Sequence, residues 1–277
     1  MNDRRQSFFH RLGSPALGAL IFSGMLLLPL FLIQCMVVGE DVSARGANQA
    51  AERTVPGDGG AGRWDRKMYE TVTLANFREN PLFQERIDFA AVDYPRLDAV
   101  IFYATNEIRR KHDLSFLPYR PELERAAFHH AKRMVEKRFF SHTDSTAANR
   151  RSPNDRGKLA GIANPFLAEN IAESFGIAYT GGRSVYPRGE PGAFSYTAQG
   201  ALIPPHTYLS FADDLLELWM NSSGHRANIL SSNALFLGCG AYYYTDSSFF
   251  GMPKFKAVQN FQWFKEIEEG PVTDPLP

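Results

Sequence analysis

Cysteine is scarce in this chain: Cys35 and Cys239 are the only two among 277 residues. Because Cys35 lies in an apolar N-terminal run, everything downstream carries one thiol and no internal disulfide can staple it. Stability must then come from core burial, which a chain of this length can supply. Cys239, within Leu237-Gly238-Cys239-Gly240-Ala241, reads as buried filler and not as a nucleophile. Net charge is missing as well. Thirty Lys+Arg cancel thirty Asp+Glu, so no bulk field favours nucleic acid as a partner. No internal repeat is visible, which excludes solenoids and propellers.

Charge is also absent locally. From Leu12 to Gly39 there is no charged residue, and Arg4, Arg5 and Arg11 precede the run while Glu40 and Asp41 follow it. Basic before and acidic after orients the N-terminus inward and exports the rest. The run is long enough, at about 20 residues or more, to span a bilayer, and Val42-Ser43-Ala44 offers small residues for a signal-peptidase cut. Leu32-Ile33-Gln34-Cys35 faintly resembles a lipobox, with Gln34 where a small residue belongs. Residues 1–38 are therefore expected to be a signal peptide or a membrane anchor, placing the rest in the periplasm, outside the cell or on the membrane's outer face.

Composition divides the remainder. Residues 39–62, with Gly57-Asp58-Gly59-Gly60-Ala61-Gly62, read as a flexible linker. Residues 63–97 regain aromatic and apolar side chains without clear periodicity and read as an N-terminal extension. The main domain is expected over 98–265, with a Gly- and Pro-broken surface insertion at 176–206 and a tail at 266–277. A helix is expected from about Asp98, with Val100, Ile101, Ala104 and Ile108 on one face. Pro121 opens a second, whose stripe of Leu123, Ala126, Ala127, His130, Ala131, Met134 and Val135 calls for close packing on a flat surface such as a sheet. His129 and His130 divide, one to solvent and one to the core. Ser152-Pro153-Asn154-Asp155-Arg156 looks like a capped helix start, with Arg156 free to tie that turn to an acidic neighbour. Phe211, Leu215, Leu218 and Trp219 restore helical spacing, and Gly224 reads as the stop that aims His225. Leu235–Tyr244 and Lys256–Phe264 read as two strands. Helices first and strands later give an α+β class.

Three polar residues sit beside apolar neighbours at element boundaries: His142, Glu169 and His225. Two imidazoles and a carboxylate suit a divalent cation. They serve equally well as hydrogen-bonded residues holding loops over a sheet.

Several words occur in order: Asn106-Glu107-Ile108-Arg109, Phe140-Ser141-His142-Thr143, Ser152-Pro153-Asn154-Asp155-Arg156, Leu167-Ala168-Glu169-Asn170-Ile171, Trp219 to Leu230, and Phe236-Leu237-Gly238-Cys239-Gly240. Through them residues 98–264 resemble the CAP superfamily (cysteine-rich secretory protein, antigen 5, pathogenesis-related 1) in its bacterial SCP-like form. That resemblance implies an α-β-α sandwich with a small antiparallel sheet between helices and a cleft of two histidines and two acids. His142, Glu169 and His225 match three of the four. The fourth falls on or near Ser222, and Glu217, about 140° away round a helix, cannot replace it. Asn170, Trp219 and Ser222 are expected to line the cleft. Weakly held zinc or another divalent cation is implied, with a lipid, sterol or peptide as further ligand and a membrane lipid or an envelope or host component as partner. The reading is a non-enzymatic exported domain of the bacterial envelope. The alternatives are a metal-dependent hydrolase on the same three residues and a structural or adhesive protein with a vestigial cleft. A Ser222–His225 hydrolase lacks a visible orienting residue, an oxyanion hole and a nucleophile elbow.

Overall fold

The computed structural model describes residues 63–275. The expected leader or anchor at 1–38 and the linker at 39–62 lie outside the described residues. Among the described residues no helix is long and apolar enough to cross a membrane.

Helix α1 is a single turn, Pro81–Gln84. Helix α2, Tyr94–Lys111, starts where Asp93 caps the Arg96 amide and Pro95 fixes the first turn. A boundary at Asp98 therefore falls inside this helix, because the cap outranks the apolar period. Arg109, Arg110 and Lys111 occupy its last turn, where cations offset the exposed carbonyls. Phe102 and Tyr103 are as buried as Val100 and Ile101. The extension covers that second face: Phe77 stacks 5.7 Å from Tyr103, and Trp64 5.1 Å from Phe83. Residues 63–97 thus contribute Trp64, Val72, Phe77, Leu82, Phe83, Ile87 and Leu97 to the core.

Helix α3, Pro121–Glu136, buries Leu123, Ala126, Ala127, His130, Ala131 and Met134, leaving Val135 half-buried. Helix α4, Pro153–Leu159, begins with a reciprocal capping box between Ser152 and Asp155. Strand β1, Leu167–Phe175, carries Glu169 and Asn170; its period alone did not single it out. Two-residue strands β2, Tyr186–Pro187, and β3, Phe194–Ser195, pair within the 176–206 insertion. Helix α5, Tyr208–Met220, is followed by α6, Ser223–Ile229, and then by strands β4, Ala234–Asp246, and β5, Met252–Trp263.

The main sheet is antiparallel in the order β1-β5-β4. Helix α3 covers one face of β4 and β5; α2 packs on β4 and α5 on β1 from the other side. The result is α+β, a three-layer α-β-α sandwich with β5 in the middle. The alanine stripe works because β4 opposes it with glycine. A Cβ at Gly240 would lie 2.2 Å from the Phe128 amide nitrogen, and one at Gly238 2.2 Å from that of Glu124. Gly240→Ala is therefore expected to lower unfolding free energy by about 3 kcal/mol, the upper part of the overpacking range. Chemical denaturation measures it, and a loss under about 0.5 kcal/mol would contradict the close approach.

The insertion packs a small core of Ile177, Tyr179, Phe194 and Ile203 against Met252 of β5. Tyr179, Phe194 and, in α5, Tyr208 are buried, and Tyr186 is exposed. Tyr179 and Phe194 thus pack the insertion, and Tyr208 packs the main core. The C-terminal segment also docks: Arg150 pairs with Asp274, and His129 Nε2 lies 2.8 Å from the Pro275 carbonyl. Cys239 is buried, and burial pushes its thiol pKa well up. This suits filler.

Candidate functional site

Glu169 is the centre of the corner. It sits opposite Asn260 on β5, facing α3 and α4, with its side chain 1% exposed. A buried carboxylate needs partners, and three elements supply them. Arg156 of α4 donates from Nη2 to Oε2 at 2.6 Å. His142, in the loop after α3, donates from Nδ1 to Oε1 at 2.9 Å. His130 of α3 places Nε2 3.8 Å from Oε1. Burial alone would raise the Glu169 pKa, but the His142 hydrogen bond and the Arg156 charge bring it below the usual carboxylate value.

Arg156 does more than neutralise the acid. The same Nη2 donates to the His142 carbonyl at 3.1 Å, and Nη1 donates to the Arg150 carbonyl at 3.0 Å. The expected tie to an acidic neighbour is present, and that neighbour is Glu169. His130 is fully buried and donates from Nε2 to the Ser141 carbonyl at 3.0 Å. Its Nδ1 has no partner among the described residues. Burial, with a smaller push from Arg156, takes its pKa down to about 4. The sequence placed His130 on the core stripe but not in the site. The signal was a polar ring on an otherwise apolar face, which demands a buried acceptor.

His225 arrives differently from the sequence expectation. Helix α5 stops at Met220, and the chain turns through Asn221 and an extended Ser222 before α6 begins. Gly224 is the second residue of α6, not the C-terminal stop, and it does not take a positive φ. Arg226 Nη1 caps the end of α5 by donating to the Met220 carbonyl at 2.8 Å. The His225 carbonyl accepts from Asn170 Nδ2 at 3.1 Å, while Asn170 Oδ1 accepts from Asn228 Nδ2 at 2.9 Å. Burial lowers the His225 pKa, and the His142 imidazole lowers it further, so the two rings act on one another.

The expected cleft lining is corrected at two positions. Trp219 is fully buried in the main core, and Asn170 is fully buried between β1 and α6. Asn170 positions His225 from beneath; Trp219 holds α5 to the core. Ser222 is half-buried and makes no side-chain capping bond.

The donor chemistry limits what a cation finds here. Oε2 of Glu169 is bonded to a guanidinium and Oε1 to an imidazole N–H, so the carboxylate is committed to protein cations. Among the described residues no three His, Cys, Asp or Glu side chains are arranged to hold a metal ion. A three-ligand centre of His142, Glu169 and His225 does not fit. With Nδ1 of His142 engaged by Glu169, its Nε2 is the ring nitrogen left for another partner. Glu169 thus orients a ring in the manner of an outer-shell carboxylate.

Similarity to known proteins runs through this core. Among curated proteins compared with the chain, none matches. A bacterial extracellular protein containing an SCP domain, from Bacillus anthracis, is 25% identical with a TM-score of 0.41, covering 62% of this chain and 42% of its own. An outer surface protein from Borrelia burgdorferi is 15% identical with a TM-score of 0.38, covering 65% of this chain and 99% of its own. A cysteine-rich secretory protein from Staphylococcus aureus is 12% identical with a TM-score of 0.28, covering 61% and 39%. This chain therefore spans less than half the length of the Bacillus and Staphylococcus proteins. The model of the cysteine-rich secretory protein family matches residues 102–261, more than half of the chain and all three strands of the main sheet but the end of β5, and the chain belongs to that CAP family.

Proposed function

We propose that this is an exported, non-enzymatic CAP domain of the bacterial envelope whose His142–His225 pair takes up a divalent cation weakly. The single observation behind this reading is the commitment of Glu169. A carboxylate shared between Arg156 and His142 is neither a free ligand nor a general base, which argues against the metal-dependent hydrolase. What it leaves is one oriented, half-exposed imidazole whose Nε2 is not used by Glu169, and a second imidazole on α6. A cation held by these two would complete its shell with water, and such a site binds far less tightly than a closed four-ligand centre. Export is supported by the charge pattern around residues 12–39 and by the extracellular and outer-surface descriptions of the similar proteins. A lipid, sterol or peptide ligand and a membrane, envelope or host partner remain part of the same proposal.

Calorimetric titration of the full-length protein with zinc tests the cation. The expected result is weak, saturable heat that disappears in His142→Ala/His225→Ala. Protons compete for imidazole, so binding should weaken as pH falls through about 6. No heat at millimolar zinc and neutral pH, or heat unchanged in the double variant, overturns the cation site. Peptide or ester hydrolysis that vanishes with Glu169→Gln would overturn the non-enzymatic reading.

A further inference from the structure

Arg109 is a buried cation without a counter-ion. Its exposure is 1%, and buried guanidinium groups are normally paired with acids. The other deeply buried arginines obey this rule: Arg156 reaches Glu169 and Arg96 reaches Glu85. Arg109 instead donates only to carbonyls, from Nε to Ser115 at 3.0 Å and from Nη1 to Ile229 and Ser231 at 2.8 Å each. These bonds explain why the residue is structural: it collects the last carbonyls of α6 and ties them to the loop after α2. They do not use Nη2, for which the described residues supply no acceptor. Among the described residues no carboxylate lies within ion-pairing distance of it.

Arg109 also lines a pocket of about 310 Å³ at the C-terminal end of α2. Leu114, Phe116 and Leu235 provide apolar wall, and Phe116 is 45% exposed. Ser232 and Asp113 complete the rim, Asp113 being held at a φ of 56°. An uncompensated guanidinium lining a pocket beside Leu114, Phe116 and Leu235 is complementary to an anion with an apolar body. Its planar fork suits a carboxylate.

We propose that this pocket binds a carboxylate carried on a small apolar or aromatic body, with Arg109 recognising the anion and Phe116 and Leu235 receiving the body. The site is independent of the His142–His225 reading. Asp113 sits on the wall as a like charge and restrains affinity for anions.

Ligand-observed saturation-transfer NMR on the full-length protein, with phenylacetate as probe, tests this. A ligand of about ten heavy atoms is expected to show a Kd on the order of 1–10 mM. Phenylacetamide, equal in size but uncharged, should bind about tenfold more weakly. Inorganic phosphate, an anion without the body and without observable protons, is read by displacement of the phenylacetate signal and should bind more weakly than phenylacetate. Asp113→Asn keeps a residue that tolerates positive φ and should tighten phenylacetate about twofold, whereas Ser232→Glu should weaken it by a similar factor. Both positions are exposed, so these variants keep the test independent of Arg109→Gln, which removes binding but also the tie to α6. Equal binding of phenylacetate and phenylacetamide overturns recognition by the guanidinium. Phosphate binding as tightly as phenylacetate overturns the apolar subsite. No saturable phenylacetate signal, or affinity indifferent to both rim variants, overturns the site.

Discussion

Arg156→Met is expected to destabilise the domain by about 3–5 kcal/mol, the range found when one partner of a buried ion pair is removed. The reason is geometric. Glu169 is 1% exposed and Arg156 2% exposed, so the abandoned carboxylate cannot be rehydrated in place. The loop carbonyls of Arg150 and His142 lose their donor in the same step. Removing both charges should behave differently. In Arg156→Met/Glu169→Leu no uncompensated charge remains, and much of the loss should be recovered, because burying an ion pair costs about as much solvation as its attraction returns. Urea denaturation of the three variants measures the cycle. A loss below about 1 kcal/mol in Arg156→Met would mean that the carboxylate finds solvent, and the commitment of Glu169 to Arg156 would fall with it.

Two buried histidines should make the fold sensitive to acid as pH falls below about 6.5. Burial takes both His130 and His206 down to about 4. Unfolded histidine protonates near 6.5. Between these values the unfolded chain binds protons that the folded chain refuses, so stability is full above about pH 6.5 and falls as pH drops toward 4. Each histidine is expected to remove about 2 kcal/mol between pH 7 and pH 5, and about 3 kcal/mol by pH 4. Glu169, held below its ordinary value, adds loss of the same sign at still lower pH. Asp98 and Glu124, raised chiefly by burial, act in the opposite direction. Comparing the protein with His130→Gln/His206→Gln isolates the histidines, since the acids are common to both. Unfolding free energies at pH 7 and pH 5 should differ by about 4 kcal/mol less in the double variant. Equal pH slopes would show that the two rings protonate in the folded state at ordinary pH.

Much of the architecture was legible in local signals. Pro121 with Glu122 and Glu124, the Ser152–Asp155 box and the alanine stripe of α3 marked helices whose neighbours had to be flat. Gly238 and Gly240, where that flat surface comes closest, were found only from the structure. Gly224 misled because glycine after a helix has two meanings. A C-terminal stop requires positive φ, but here the turn is made by Asn221 and Ser222 and the glycine lies within the next helix. Trp219 and Asn170 misled because adjacency in sequence to His225 and Glu169 says nothing of which way a side chain faces. On β1, alternation sends Glu169 toward α3 and its neighbour Asn170 toward α6.

The sequence by itself determined the class, the helix starts and the need of α3 for a flat partner. Periodicity, capping and the order of short motifs are properties of neighbouring residues, so they survive without coordinates. Only the tertiary structure decided what His142, Glu169 and His225 do. Whether Glu169 is a ligand or an acceptor depends on Arg156 and His130 reaching it from two other helices, and whether Arg109 lacks a counter-ion depends on the carbonyls of α6. Those are long-range pairings in a low-dielectric interior, where one partner more or less changes the chemistry of the group.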